Sequence, residues 1–197
     1  MQKIEEILIG TNNVGKYKEI CDLLPKGIKK HSPKNFKIDT PEENGKSFEE
    51  NSKLKAEYFS KKTNLLCLSD DSGLEVDVLK GDPGIYSSRW AGNNNDFNLA
   101  IKKVYKEMDK LNINWEKDNT AKFICCLTLC WPNGKSYMGK GIIKGKISKI
   151  QNGNKGFGYD PIFIPNGYTK TFGEMDPKLK MSIDHRFKAY LKIKNFF

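Results

Sequence analysis

At 197 residues the chain is long enough to bury most of its apolar surface as one large domain, or two closely joined lobes, without disulfide or metal staples. Its formal net charge is +10, but its 34 basic residues include only two arginines, Arg89 and Arg186, and the lysines are scattered singly or in pairs, which reads as a solvated basic surface and not as a nucleic-acid-binding stripe. Five cysteines without any Cys-x-x-Cys exclude a disulfide framework and a zinc knuckle and fit a reducing cytoplasm, while the longest largely apolar run, Phe123 to Trp131, is about half a membrane span.

In chain order, Ile7-Leu8-Ile9 is a short strand, and Tyr17, Ile20, Cys21 and Leu24 keep helical spacing until Pro25. Between them Gly10-Thr11-Asn12-Asn13-Val14-Gly15-Lys16-Tyr17 nearly spells a phosphate-binding loop: two glycines and a lysine are in place, but Tyr17 stands where a short hydroxyl would hold magnesium. A strand, a loop and a helix N-terminus can together cradle an anion, with any metal held elsewhere. An ordinary strand-to-helix turn with an exposed lysine is the other reading of the same letters.

Glu42 and Glu43 follow Pro41 in a loop that can supply an oxygen ligand, and Ser47-Phe48-Glu49-Glu50 is a capping box that opens a helix to about Lys62. Leu65 to Leu68 reads as a short strand ending at Ser69-Asp70-Asp71-Ser72-Gly73, where a tight turn would push two adjacent carboxylates into a cleft. Such a pair is best tolerated beside a hard cation such as magnesium; a turn with an Asx cap is the alternative. Leu74, Val76 and Val78 then alternate with acidic residues up to the Gly81-Asp82-Pro83-Gly84 turn, and Asn93-Asn94-Asn95 is a loop tip. Phe97, Ala100, Ile101, Val104, Tyr105, Met108 and Leu111 form the clearest amphipathic helix.

A strand from Ala121 to Trp131 leads through Pro132-Asn133-Gly134 into a second one, a hairpin pattern. Gly156-Phe157-Gly158-Tyr159-Asp160-Pro161 places aromatic rings and a carboxylate on a glycine-loosened loop able to stack on a nucleobase and read its edge, unless those rings face the core. The last helix runs from roughly Ile183 to Phe196 and begins with His185-Arg186, two donors able to meet a carbonyl oxygen. Strands mixed with helices, with both a hairpin and strand-helix-strand units, predict an α/β protein with a mixed sheet. No linker or repeat divides the chain, so a single domain over residues 1–197 is expected.

Taken in order, Thr11-x-Asn13-x-Gly15-Lys16, Ser47-Phe48-x-Glu50-Asn51 with Lys55-Ala56, Asp70-Asp71-Ser72-Gly73-Leu74, Pro83-Gly84-x-Tyr86-Ser87-x-Arg89, Gly156-Phe157-Gly158-Tyr159-Asp160-Pro161 and His185-Arg186 carry a resemblance. The chain resembles the inosine triphosphate pyrophosphatase, or Ham1-like, family from about Ile7 to Leu191. The resemblance implies an elongated, two-lobed α/β fold around a long mixed β-sheet, with the nucleotide cleft between the lobes, and a cytoplasmic homodimer with no membrane association and no stable nucleic-acid partner. It implies hydrolysis of the purine nucleoside triphosphates ITP, dITP and XTP to the monophosphate and pyrophosphate, with Mg2+ as cofactor.

On the same resemblance, Thr11, Asn12, Asn13, Val14, Gly15 and Lys16 form the triphosphate cradle, and Lys55 reaches the phosphates. Glu42 and Asp71 are the metal ligands, Asp71 is also the proton acceptor with Asp70 in support, and Ser72 contacts substrate. Phe157, Gly158, Tyr159, Asp160, Lys180, His185 and Arg186 form the base-recognition group. Hypoxanthine and xanthine offer an accepting oxygen at C6, whereas the adenine amino group would leave buried donors unpaired at a cost of about 1–3 kcal/mol each. Two positions depart from the family pattern: Asn12 replaces a glycine, for which a left-handed backbone at Asn12 is expected, and Asp184 replaces a serine beside His185 and can alter base preference. A related pyrophosphatase with another base preference and a catalytically inactive RNA-binding protein are the competing readings.

Overall fold

In the computed structural model, which describes residues 4–92, 94–115 and 117–197, the chain forms two compact units and one six-stranded sheet. Asn93 of the expected loop tip lies outside the described residues. Strands β1 (Glu6–Ile9), β2 (Lys29–His31), β3 (Cys67–Val76), β4 (Thr120–Cys130), β5 (Ser136–Ile147) and β6 (Phe163–Pro165) take the order β2-β1-β3-β4-β5-β6. β1 runs parallel to both β2 and β3, with Leu8 opposite His31 on one side and Cys67 on the other. β5 and β6 are antiparallel, so the sheet is mixed, as the alternation of elements predicts.

The first unit comprises residues 1–71, 125–141 and 185–197. It contains helices α1 (Val14–Leu23) and α2 (Phe48–Thr63), and its core joins Ile7 and Ile9 of β1 to Ile20 and Leu24, Leu68, Leu127, Leu129 and Ala189. Gly10 sits where β1 ends because no side chain fits: a Cβ there would lie 2.9 Å from Cys67 Sγ and from the Phe59 ring. The second unit comprises residues 72–124 and 142–184. There helix α3 (Phe97–Asp109) buries Ala100, Ile101, Val104 and Met108, the spacing read from the sequence, against a core with Leu74, Val76, Phe123, Phe163 and Phe172.

One expectation changes, and three short elements went unread in the sequence. Residues 67–76 are one continuous strand, not a strand, a turn and a second strand; β-alternation carries through Ser72-Gly73 because Leu74 and Val76 remain buried on its far half. The last helix, expected from roughly Ile183 to Phe196, is α5 (His185–Ile193), and Asp184, in an extended conformation, separates it from a further helix, α4 (Pro177–Ile183). β2, β6 and α4, at 3, 3 and 7 residues, are too short to show a period. Among the described residues no helix is long and apolar enough to cross a membrane.

Candidate active site

The loop after β1 is organised by its own side chains. Asn13 caps α1, its Oδ1 accepting from Lys16 N at 3.0 Å, and Thr11 Oγ1 accepts from Asn13 N at 3.2 Å. Asn12 is not among the residues with a left-handed backbone; it instead donates from Nδ2 to Thr40 Oγ1 at 2.7 Å. The conformational reason expected for Asn12 therefore does not apply. Val14 is exposed at the helix start, and Tyr17 lies against the apolar core of the first unit.

Asp70 and Asp71 are consecutive residues of β3, so their side chains leave opposite faces of the strand and meet different cations. Asp70 Oδ2 lies 3.2 Å from Lys16 Nζ and 3.4 Å from Arg186 Nη2; Arg186 also binds Glu19 of α1 through Nη1. Asp71 Oδ1 lies 3.6 Å from Lys55 Nζ, which is itself 2.5 Å from Glu43 Oε1. Strand alternation and the two lysines relieve the repulsion anticipated between the adjacent carboxylates. Asp70, Asp71, Lys55 and Arg186 are all buried.

Burial alone would raise the Asp70 carboxyl, but Lys16, Arg186 and Lys55 together hold it well below the usual carboxylate range. For Asp71 burial wins and the carboxyl is pushed up, with Glu43 and Asp70 adding to the rise and Lys55 and Lys16 opposing it. Burial would lower Lys55, yet Asp71, Glu43 and Asp70 more than offset it and keep the ammonium charged. One face of β3 thus offers an anion locked in its ionised form, and the other a carboxylate with a stronger affinity for a proton.

The acidic loop is tied to the start of α2. Asn51 Oδ1 accepts from Gly45 N at 2.8 Å, Glu50 accepts from Lys46 N at 2.7 Å, and Ser47 Oγ caps the helix by accepting from Glu50 N at 3.1 Å. Glu50 therefore binds one residue upstream of the backbone group that a full capping box would use. Held this way, Glu43 reaches Lys55 while Glu42 is exposed. Glu43 and Glu19 are the residues of this cluster that the family motifs did not single out. The signal for Glu19 was its place three residues after Lys16, on the same side of a helix.

In the second unit, Asp160 Oδ2 accepts from Lys180 Nζ at 2.6 Å and from Phe157 N at 2.8 Å. Lys180 lies between the rings of Phe157 and Phe172, 5.2 and 5.5 Å from their centroids. Gly156 has a φ of 73°, and a Cβ there would collide with the Asp160 carboxylate. Tyr159 is buried: its hydroxyl donates to Ser87 O at 2.9 Å and its ring meets Phe97 edge-on, so Tyr159 takes the core-facing reading and Phe157 is the half-buried ring of this loop. Ser72 is half-buried on β3, and His185 is buried at the first position of α5. Arg89, the other arginine, is exposed over the Tyr86 ring.

The sequence profile of the Ham1 family matches residues 7–196. The chain belongs to the Ham1 family. Among relatives of this family, the dITP/XTP pyrophosphatase of Rhodospirillum centenum is 40% identical over 191 residues, spanning 96% of this chain and 93% of that protein. That of Caulobacter vibrioides is 39% identical over 189 residues and 96% of each chain. Of solved Ham1 structures, a HAM1 protein from Coxiella burnetii superposes with a TM-score of 0.87 at 34% identity over 98% of both chains. The Staphylococcus aureus Ham1 protein gives 0.82 at 35% identity over 98% of this chain and 97% of that one.

Proposed function

We propose that this Ham1-family chain hydrolyses dITP, ITP and XTP to the nucleoside monophosphate and pyrophosphate, clearing such nucleotides from the pool, as a single domain over residues 1–197. The observation that carries the reading is the buried frame in which Lys16 and Lys55 stand against the consecutive carboxylates Asp70 and Asp71 beside a capped, anion-ready loop. Thr11 to Lys16 would hold the triphosphate through backbone N–H groups and the Lys16 ammonium, with Lys55 reaching the phosphates and Ser72 contacting substrate. Asp71 would take the proton from the attacking water, a task favoured by a carboxylate whose affinity for a proton is raised by burial.

The donor set also fits Mg2+, which takes oxygen ligands and is commonly held by one or two carboxylates together with substrate phosphates. Glu43 and Asp71 already converge on one cation, the Lys55 ammonium, and four carboxylates of this cluster face three basic side chains. Asp71 with an oxygen from the Glu42–Glu43 pair would hold the ion. Bound magnesium would neutralise phosphate charge and so ease departure of pyrophosphate. The base falls to Phe157, Gly158, Asp160 and Lys180, with His185 as a donor to the C6 oxygen, in the family's two-lobed arrangement with its cleft. A cytoplasmic homodimer without a stable nucleic-acid partner completes the proposal.

The test is incubation of the full chain and Mg2+ with dITP, ITP, XTP, ATP and GTP, with products resolved by phosphorus NMR. Monophosphate plus pyrophosphate from the first three, with ATP and GTP turned over far more slowly, is the expected result. Orthophosphate plus diphosphate, or equal rates on ATP, would overturn it. Oxygen-18 water locates the phosphorus attacked.

A further inference from the structure

We infer that residues 171–174 act as a clasp on the loop over residues 152–160 and, on the proposal that this loop meets the base, that Thr171 is a positioning residue for base choice. The loop has little to hold its own shape: Gly153, Gly156 and Gly158 have φ of 79°, 73° and 66°, and glycine is the residue with the most backbone freedom to lose. Its backbone is instead bonded near both ends to one short segment. Gly173 O accepts from Lys155 N on the entering side, and Gly173 N donates to Asp160 O on the leaving side, each at 2.9 Å. Asn152 N donates to Pro161 O at 2.9 Å and closes the neck of the loop.

Thr171 locks this arrangement. Its buried hydroxyl donates to Asn152 O at 2.7 Å and accepts from Glu174 N at 3.2 Å, so one side chain ties the start of the loop to the turn that carries Gly173. The Glu174 carboxylate accepts from Thr171 N at 2.9 Å and holds that turn closed from its other end; the same oxygen lies 3.2 Å from the hydroxyl, farther than Asn152 O. Phe172 fixes the turn to the core, its N–H donating to Phe163 O at 2.9 Å and its ring packing against Phe163 and Phe123. The approach is close: a Cβ on Gly153 would run into the Gly173 backbone, and one on Gly173 would lie 2.6 Å from Asn152 O. Core, turn and loop are thus linked in series, and Phe157 and Asp160 take their positions from a loop that Thr171 holds. Lys16, Lys55 and Asp71, proposed for the phosphates and the proton, belong to the first unit, so loosening the clasp should change which base is accepted and spare the chemistry.

Wild type, Thr171→Val and Thr171→Ser are compared as full chains. The first measurement uses no nucleotide: amide hydrogen exchange at residues 152–160 and 173, with the amides of α3 as the reference in the same unit. Thr171→Val should speed exchange at Lys155 and Gly173 by about 10-fold or more with α3 unchanged, while Thr171→Ser, which keeps the hydroxyl, stays within about 3-fold of wild type. The second is kcat and KM on dITP and on ATP with Mg2+. In Thr171→Val the preference for dITP over ATP in kcat/KM should fall about 10- to 100-fold, through KM and with kcat on dITP kept within about 3-fold, the scale of a contact misplaced by about 1 Å. Thr171→Ser should restore it.

Thermal melts identify a Thr171→Val chain that fails to fold; Glu174→Ala, at a half-buried position, then carries the comparison, with Glu174→Gln as its rescue. Unchanged exchange in Thr171→Val would overturn the clasp. Faster exchange with the dITP preference retained would overturn its part in base choice. A wild type with no preference for dITP would strike the proposed function instead, and the exchange measurement would still decide whether Thr171 holds the loop.

Discussion

Two regions of the molecule bury charge, and they do so differently. In the first unit Glu19, Arg186, Asp70 and Lys16 form one connected chain, with Lys55, Asp71 and Glu43 a second group on the other face of the same strand. In the second unit Lys180 pairs with Asp160, and the rings of Phe157 and Phe172 flank the ammonium. The first is redundant, since each central group has more than one counter-ion, and redundancy lets the site gain or lose one charge without leaving another bare. In the second, Asp160 accepts from Lys180 and from a backbone N–H, and the geometry is set by aromatic walls and a glycine-rich loop. On the proposed function, the first would serve the phosphates and the second the base.

The largest effect should come from the group that the charge network leaves poised for protons. Asp71→Asn should reduce turnover by about 10²–10⁴-fold, the usual worth of a general base, while binding of a non-hydrolysable dITP analogue measured by calorimetry survives. Substantial residual turnover would remove Asp71 from its role and with it the functional contrast between the two faces of β3.

The contrast in redundancy comes next. Lys180→Met leaves Asp160 buried without its cation and should cost about 3–5 kcal/mol of stability in urea unfolding. Lys16→Met leaves Asp70 still paired with Arg186 and should cost clearly less. Equal losses would mean that the network is no more tolerant than the pair.

Acid should then find the first unit's network. The folded Asp70 carboxyl is depressed, so it contributes stability above its unfolded value of about 3.9, and that contribution is lost as pH falls below about 4. The raised carboxyl of Asp71 works in the opposite sense, favouring the folded state more as pH falls. Urea midpoints recorded from pH 6 to pH 3 should show a drop that is smaller in Asp70→Asn; an identical drop would place the acid sensitivity elsewhere. The smallest change belongs to the aromatic side: Tyr159→Phe removes one hydrogen bond to Ser87 O and should cost about 1 kcal/mol by thermal melting. A large loss of dITP binding in that variant would instead return Tyr159 to the base.

Much of this arrangement was legible before any coordinates. The apolar run at Ile7–Ile9, the cap at Ser47, the helical spacing from Phe97 to Met108 and the hairpin around Asn133 are local patterns, each set by the geometry of neighbouring residues, and appear where the letters place them; Leu111, expected on the same helix face, lies exposed beyond the helix end. The family was legible for another reason: its motifs occur in order along nearly the whole chain. The Asp70-Asp71 pair was also visible, but its environment was not, because a turn and a continuous strand are both compatible with Ser72-Gly73.

Tertiary packing decided the rest. That the two aspartates part to opposite faces depends on the strand continuing to Val76, and that depends on Leu74 and Val76 finding a core made from distant segments. Glu43 takes the inward place because Glu50 and Asn51 tether its loop, and Tyr159 turns to the core because Ser87, 72 residues away, offers a carbonyl. Glu19 and Arg186 lie 167 residues apart, and no local period links them. The letters of the chain specify which chemical groups are available and which short segments coil or extend. The partner that each buried charge meets is chosen only when the folded chain expels water and every charge left inside must be answered.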